Sequence, residues 1–511
     1  MSDKPFTFVE VALADRRRRR FPFTILMAIL SLFCMLALVA LLWLLIAWLR
    51  SGPEHFRDDR QHFLHGSIGS ETSSGLPYEV WQALPVLFPE DFENKTTFEA
   101  FGFLYQDDEM NRIDLPIGIS RRDRLGITLV WFNCAVCHTG TYRETEDADP
   151  VIVAGMPSNN LQLRTFIDFL LEASTSPRLA AEPLFEAIDE SGNRLGPVKR
   201  LFWRVAVLPA LREELLATRA ALRPLLDRQP AWGPGRVDTF NPYKTLEFGI
   251  NADQLSETEA LGASDFPSIF LQTPREGMQL HWDGNNSSLA ERNLSAALGA
   301  GVTPDTVDHA GIKRVAAWLG DLSPPASPIT INTEAAQRGA AYYVQHCAAC
   351  HGQTGADGYR FEGELLGKVD PIEAIGTDRA RLDSYTSDFQ KLQIEQLFAG
   401  TPYAFRQFRK TDGYANMPLD GLWLRGPYLH NGSVPTLADL LAIPDDRPMR
   451  FVRGSDVIDE DKGGFVSPPC EGNEGFCFDT TLPGNSNSGH VYGTELSDEE
   501  RADLLEYLKT F

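Results

Sequence analysis

Cysteine and positive charge are both scarce in this sequence. Only seven of the 511 residues are cysteine, and 47 Lys and Arg residues stand against 70 Asp and Glu residues, which gives a net charge of −23. This charge repels a polyanion, so nucleic-acid binding is excluded, whereas a basic or neutral partner protein is compatible with it. Internal repeats of about 20 to 50 residues are also absent, which excludes a solenoid.

Charge is absent altogether from residues 21–49, FPFTILMAILSLFCMLALVALLWLLIAWL. A membrane-spanning helix needs about 20 apolar residues, so this run predicts a transmembrane anchor over residues 21–50. Arginines occupy positions 16–20, and the positive-inside rule therefore places residues 1–20 in the cytoplasm and the rest of the chain in the periplasm. A cleavable signal peptide is the alternative, but it has a shorter apolar run and a small-residue cleavage site. The sequence thus predicts a single-pass inner-membrane protein with a cytoplasmic N-terminus.

The exported part is predicted to form two domains, residues 51–322 and 323–511, divided at the Pro- and Ser-rich stretch SPPASPIT. Apolar residues at helical spacing predict helices in LQLRTFIDFLLEAS and PALREELLATRAALRPLLDRQ. Asn332 or Thr333 can cap a further helix, and Ser497 with Glu500 forms a capping box for a closing one. Strand signals are few and short. The expected fold class is therefore all-α with long loops, plus the N-terminal transmembrane helix.

Four of the seven cysteines occur in two copies of the pattern Cys-x-x-Cys-His, in NCAVCHTG and HCAACHGQ. A zinc site pairs two such knuckles about 15–20 residues apart, and these two are far more widely separated. A thioredoxin-like redox pair needs a βαβ context, which is missing. The remaining interpretation is attachment of two haem c groups, in which the two thiols bind the porphyrin and the histidine binds the iron. The attaching residues are then Cys134, Cys137, Cys347 and Cys350, and the iron ligands are His138 and His351.

The sixth ligand of each iron decides whether a haem transfers electrons or reacts with small molecules. For the second haem the candidates are His430, in the Gly- and Pro-rich stretch GPYLHNGSVPTL, and Met417, in YANMPLDG. For the first haem they are Met156 and His281, and an open position is the third possibility. His281 and the adjacent Trp282 are the candidate catalytic residues, because a Trp near a haem can relay electrons or shape a pocket.

The two cysteines in PPCEGNEGFCFD, Cys470 and Cys477, close a Gly-rich loop. In an oxidising compartment this spacing predicts a local disulfide, and two free thiols are the alternative.

The stretch LRGPYLHNGSVPTLADLL, together with LPIGIS and LVWFNCAVCHTG, resembles the di-haem cytochrome c peroxidase superfamily. It looks closest to the branch that contains the c-type di-haem rubber oxygenase. This resemblance implies two cytochrome c-like haem domains, the first of them enlarged. It also implies a six-coordinate second haem bound by His430, a first haem where oxidants react, and an aromatic in that pocket, for which Trp282 is the candidate. Some relatives hold a calcium ion between the domains, so calcium is a further possible cofactor.

Taken together, these patterns predict a membrane-anchored periplasmic di-haem c-type cytochrome that carries out electron transfer. Its partner would be a redox protein or a quinol-linked complex. The alternative is an enzyme, a di-haem peroxidase or a rubber-oxygenase-like dioxygenase acting at the first haem, where a distal His or Glu handles protons. A structural haem-bearing partner of a respiratory complex is a third possibility.

Overall fold

The computed structural model describes residues 8–106, 114–355 and 358–511. Helices account for 42% of it and strands for 13%. The helices of the first half are α1 Phe8–Leu49, α2 Asp59–His65, α3 Ser70–Ser74, α4 Tyr78–Leu87, α5 Leu163–Ala173, α6 Ala181–Glu190, α7 Pro197–Phe202, α8 Leu208–Leu226 and α9 Asn241–Phe248. Those of the second half are α10 Leu289–Gly299, α11 His309–Gly320, α12 Thr333–His346, α13 Ala348–His351, α14 Ile372–Ile375, α15 Ala380–Ser384, α16 Ser387–Gln396, α17 Leu437–Leu440 and α18 Asp498–Leu508.

Short antiparallel strands run throughout the chain. They are β1 Gly52–Pro53, β2 Leu76–Pro77, β3 Ile119–Arg124, β4 Ile127–Phe132, β5 Thr139–Tyr142, β6 Val151–Ala154, β7 Arg236–Asp238, β8 Ala263–Asp265, β9 Gln353–Gly355, β10 Gly358–Arg360, β11 Val369–Pro371, β12 Gly413–Ala415, β13 Arg450–Arg453 and β14 Phe476–Asp479. One sheet has four strands in the order β1-β3-β4-β2, and the others are two-stranded ribbons. The predicted all-α fold class is therefore wrong.

The hairpin β3–β4 shows why the prediction failed. Strand β4, ITLVWF, consists of β-branched and aromatic residues apart from one leucine, a composition that favours strands. Its two-residue turn has positive φ at both central positions, 51° at Leu125 and 84° at Gly126, as a tight hairpin turn requires. The strands are short enough that propensity and a turn glycine mark them more clearly than periodicity does.

The predicted membrane anchor is also contradicted. Helix α1 begins at Phe8 and includes the run of arginines, and most of its described apolar side chains, Phe33 and Leu38 among them, are exposed. Within the ranges described above, no helix is both long and apolar enough to cross a membrane. The prediction of a single-pass inner-membrane protein, with residues 21–50 as its anchor, is therefore wrong.

The helices predicted from periodicity and capping are confirmed. Helices α5 and α8 lie within the two predicted apolar-periodic stretches. The side chain of Asn332, rather than that of Thr333, caps α12 by accepting from the Ala335 backbone N–H. Ser497 and Glu500 form the expected capping box at α18. Helices α12 and α18 pack directly against each other, so the opening and closing helices of the second region share one core.

Buried ion pairs join residues on either side of the predicted boundary at 323–330. Each places a carboxylate and a guanidinium with less than a tenth of their surface exposed. The pairs are Arg453–Asp265 at 2.8 Å, Arg381–Asp283 at 3.1 Å, and Arg275–Asp420. Because breaking a buried pair leaves an uncompensated charge, these contacts hold the two regions in a fixed relation.

Candidate haem attachment sites

The first Cys-x-x-Cys-His motif lies between two hairpins rather than on a helix. Strand β4 ends at Phe132, and β5 begins at Thr139. Asn133 fixes the connection: its Oδ1 accepts from the Ala135 N–H at 2.9 Å, and its Nδ2 donates to the Gly66 carbonyl at 2.9 Å. The three residues from Cys134 form a single 3-10 turn. The motif is therefore held by β-structure and one asparagine.

The thiols of this motif are free and protonated. Cys134 and Cys137 are not joined in a disulfide, and burial raises the pKa of Cys134 to about 11 and that of Cys137 to about 12. A redox-active thiol has a lowered pKa instead. In the described ranges, moreover, no three His, Cys, Asp or Glu side chains come together as a metal site. The geometry thus disfavours the zinc and thioredoxin-like interpretations, as the sequence spacing does.

The His138 imidazole is held from behind by a backbone carbonyl. Its Nδ1 donates to the Pro267 oxygen at 2.9 Å, so Nε2 is the unprotonated nitrogen. Burial lowers the pKa of His138 to about 4, which keeps the ring neutral at neutral pH. A neutral imidazole with one nitrogen hydrogen-bonded to a carbonyl and the other free is the usual state of a metal-binding histidine.

The second motif is placed by helices, as expected. Helix α12 ends at His346, and α13 carries the motif histidine as its last residue. Gly352 follows with φ of 73°, and its carbonyl accepts from the Tyr343 hydroxyl at 2.8 Å. Cys347 and Cys350 are free thiols, and burial raises the pKa of both, that of Cys347 to about 12.

His351 repeats the arrangement of the first site. Its Nδ1 donates to the Met417 carbonyl at 2.8 Å, and burial lowers its pKa. The Met417 backbone therefore lies behind the imidazole, on the side away from Nε2. The Met417 carbonyl thus orients the imidazole and leaves its Nε2 available to a metal.

His490 lies beside His351, and sequence reasoning missed it. The ring centres are 6.2 Å apart, with an angle of 42° between the ring planes. The His490 Nδ1 is buried and has no hydrogen-bond partner within residues 8–106, 114–355 and 358–511. Burial, followed by the His351 charge, lowers the pKa of His490 to about 3. No local pattern in SNSGHVYG marks this residue, because the contact joins distant parts of the chain.

His430 has different neighbours. Its ring stacks on Tyr414 with centres 4.1 Å apart, and its Nε2 is 2.9 Å from the Tyr414 hydroxyl. That hydroxyl donates its single proton to the Asp378 carbonyl at 2.7 Å, so the His430 Nε2 must be the donor in the first contact. The ring is thus engaged with Tyr414, whereas it is His490 that the fold brings to His351.

The two residue candidates for the first site have different surroundings. Met156 is fully buried in an apolar cluster with Phe270 and Trp423, so it packs in the core. His281 donates from Nδ1 to the Asn285 side-chain oxygen at 2.6 Å, which leaves its Nε2 unprotonated, and burial lowers its pKa to about 4.

Arg292 acts electrostatically on both His281 and the first motif. Its charge acts on Cys134, His138 and His281 alike. Its Nε and the Asn285 Nδ2 are buried donors that find no partner in the part of the chain that the structure describes. Such donors suit a bound group that carries acceptors, as the carboxylates of a haem do. The residues at this site therefore fit haem c.

Cys470 and Cys477 form the predicted disulfide. It closes the connection before β14, where Cys477 pairs with Val452 of β13. The alternative of two free thiols is excluded.

Comparison with known proteins shows which family a part of the chain resembles. Residues 413–452 match a family described as RoxA-like, cytochrome c-like. The chain carries a RoxA-like cytochrome c-like segment. This segment includes Met417 and His430, and a cytochrome c-like domain implies haem c, with its iron, as cofactor.

Two proteins of Sinorhizobium fredii are similar to this chain. The uncharacterized protein y4iJ is 26% identical over 589 aligned positions, which cover 91% of this chain and 93% of that protein. The uncharacterized protein y4iM is 30% identical over 285 positions, which cover 48% of this chain and 64% of that protein. The similarity to y4iJ extends over nearly the whole chain, beyond the cytochrome c-like segment.

Proposed function

We propose that this protein is a di-haem c-type cytochrome that transfers electrons. One haem is attached through Cys134 and Cys137, and the other through Cys347 and Cys350. Two features support this: both thiol pairs are free although another pair in the same chain is oxidised, and each motif ends in a neutral histidine held through Nδ1. Bound haem iron supplies one-electron chemistry between its ferric and ferrous states.

The contact between His351 and His490 is the observation that carries the proposal. An imidazole nitrogen binds a metal at about 2 Å and the ring centre lies roughly 1 Å further, so two imidazoles on one iron have centres about 6 Å apart. The observed separation is 6.2 Å. Two histidine ligands close both axial positions, as suits electron transfer. His490 is therefore our preferred sixth ligand of the second haem, in place of His430 or Met417.

A test of the ligand assignment compares three histidine variants. We expect His490→Ala to convert one of two low-spin haems to a high-spin or open form in absorption and EPR spectra. His430→Ala, which loses a contact to Tyr414, and His309→Ala, which loses stacking on Tyr403, should leave both haems low-spin. Loss of the low-spin signal in His430→Ala, with His490→Ala unchanged, would restore His430 as the ligand.

The haem count is tested separately on wild-type protein. After denaturation and removal of loose pigment, iron-dependent staining and an intact mass corresponding to two bound porphyrins are expected. Cys350→Ser should weaken retention of the second haem only. A mass equal to the bare polypeptide would contradict the whole proposal.

A second candidate function is a peroxidase or oxygenase acting at the first haem. The specific observation in its favour is the pair His281–Asn285, which holds an unprotonated Nε2 within electrostatic reach of Arg292. Such a nitrogen can accept a proton from a small oxidant held near it, and the arginine can stabilise developing negative charge. Reaction of the first haem with cyanide, carbon monoxide or peroxide would favour this enzyme, and two unreactive low-spin haems would favour the electron carrier.

A redox partner protein or a quinol-linked complex completes the proposal. The net charge of −23 favours a basic partner surface. We expect the rate of electron exchange with a basic donor protein to fall as ionic strength rises, because screening weakens the attraction between the two surfaces. A calcium ion between the two regions remains a further proposal, tested by metal analysis of the purified protein.

A further inference from the structure

The two proximal histidines are supported in the same way, by carbonyls of irregular segments. His138 donates to the Pro267 oxygen at 2.9 Å, and His351 donates to the Met417 oxygen at 2.8 Å. A hydrogen bond from the outer nitrogen of a metal-binding histidine fixes the ring and raises its basicity. A residue that holds these two carbonyls in place therefore also affects the orientation and basicity of the two histidines.

Trp282 contacts both supporting segments. Its indole Nε1 donates to the Asp265 carbonyl at 2.9 Å, two residues before Pro267. Its own backbone carbonyl accepts from the Ala415 N–H at 2.8 Å, two residues before Met417. The path from one histidine to the other thus runs through four hydrogen bonds and short pieces of backbone, and Trp282 lies at its middle.

The surroundings of Trp282 hold it firmly. Its side chain packs against a buried cluster of Ile372, Leu382 and Tyr414. The preceding residue, His281, has φ of 64° and is fixed by its bond to Asn285. The following residue, Asp283, is buried and paired with a buried arginine. A segment fixed on both sides transmits a displacement instead of absorbing it.

We propose that Trp282 is a positioning residue that joins the two proximal histidines and thereby couples the reduction potentials of the two haems. This inference rests on the proposed function, since it assigns His138 and His351 to iron. Its physical basis is that the proximal hydrogen bond is one of the controls on haem potential. Loosening of the Asp265 and Ala415 contacts reduces the basicity of both imidazoles, and a less basic ligand raises the potential.

The test is Trp282→Phe, which keeps an aromatic ring and removes the indole N–H. Both midpoint potentials are followed by spectroelectrochemical titration, with EPR to distinguish the haems. We expect both to rise, and the first to rise more because the lost bond is on its side of the path. A shift of one potential alone, or of neither, in a protein carrying both haems overturns the inference.

Trp423→Phe is the matched control. Trp423 is fully buried, whereas Trp282 is half-buried, and among the described residues the Trp423 Nε1 has no hydrogen-bond partner, so the substitution removes the same volume without removing a bond. Both potentials should stay at their wild-type values in this variant. Equal shifts of the potentials in Trp423→Phe and in Trp282→Phe would mean that loss of packing alone changes them. That result would overturn the inference.

Two precautions keep the outcomes distinct. If Trp282→Phe does not accumulate with both haems, Trp282→Tyr, whose side chain is larger than that of Phe by one hydroxyl and also lacks the indole N–H, is titrated in the same way. Wild-type protein that carries fewer than two covalent haems refutes the proposed function. Unchanged potentials in a di-haem variant refute only the role of Trp282.

Discussion

At Gly339, one added methyl group should change the stability of the region that carries the second Cys-x-x-Cys-His motif. It lies on α12, the helix that leads into the second motif. A Cβ added there would lie 2.0 Å from the Asp503 carbonyl oxygen and 2.5 Å from its carbonyl carbon, on α18. These are backbone atoms, so neither can rotate away, and the two helices must separate.

The expected magnitude follows from two opposing terms. Alanine is a better helix former than glycine by about 1 kcal/mol, which alone would stabilise the variant. Forcing an extra carbon into a close helix contact costs about 1–3 kcal/mol or more, and the contact distance of 2.0 Å puts this site at the upper end. We therefore expect Gly339→Ala to lower the free energy of unfolding by about 1–2 kcal/mol net.

Urea unfolding followed by circular dichroism and by haem absorbance measures this change. Gly299→Ala is the control: it ends α10, and an added Cβ meets nothing within 4 Å. That variant should equal or exceed wild-type stability by up to about 1 kcal/mol. A Gly339→Ala protein as stable as the Gly299→Ala protein would refute the assigned helix contact.

Three further outcomes can be measured by the same unfolding assay. Replacing Cys470 and Cys477 by serine should lower stability by up to about 2.5 kcal/mol, because their disulfide closes a short loop; no loss would mean that the loop is fixed without it. Asp420→Asn should cost about 3–5 kcal/mol, since it leaves two buried arginines uncompensated, whereas the exposed Asp498→Asn should change little. Burial lowers the pKa of His65 to about 4, so protons bind the unfolded chain preferentially between pH 6.5 and 4. Stability should therefore fall as pH falls through that range, and His65→Gln should show a shallower fall; an identical profile would contradict the assignment.

Sequence patterns predicted those features that depend on near neighbours in the chain. The caps at Asn332 and Ser497 and the disulfide loop each involve residues a few positions apart, and all three were confirmed. The hairpin β3–β4 is equally local, but it was missed because neither of its six-residue strands, ISRRDR and ITLVWF, alternates apolar with polar residues. The turn at Gly126 was the available signal.

The candidate site was only partly accessible in this way. Each motif is a contiguous stretch of sequence and could be identified at once. His490, the neighbour of His351, lies near the C-terminus, and no local sequence pattern marks it. His430 was attractive because its loop is rich in Gly and Pro, but a loop residue can equally bond a nearby tyrosine, as it does here. The membrane prediction rested on the length of the uncharged run and on the arginines that precede it, and it is contradicted.

The carbonyls that accept hydrogen bonds from His138 and His351 also have a consequence for how the protein folds. Pro267 follows His138 by 129 positions, and Met417 follows His351 by 66. Each Cys-x-x-Cys-His segment is therefore synthesised well before the carbonyl that orients its imidazole. Closing such long intervals costs conformational entropy, which contacts between a bound porphyrin and the surrounding side chains can offset. Pigment incorporation would then be a step of tertiary folding, and the apoprotein should be the more vulnerable to proteolysis.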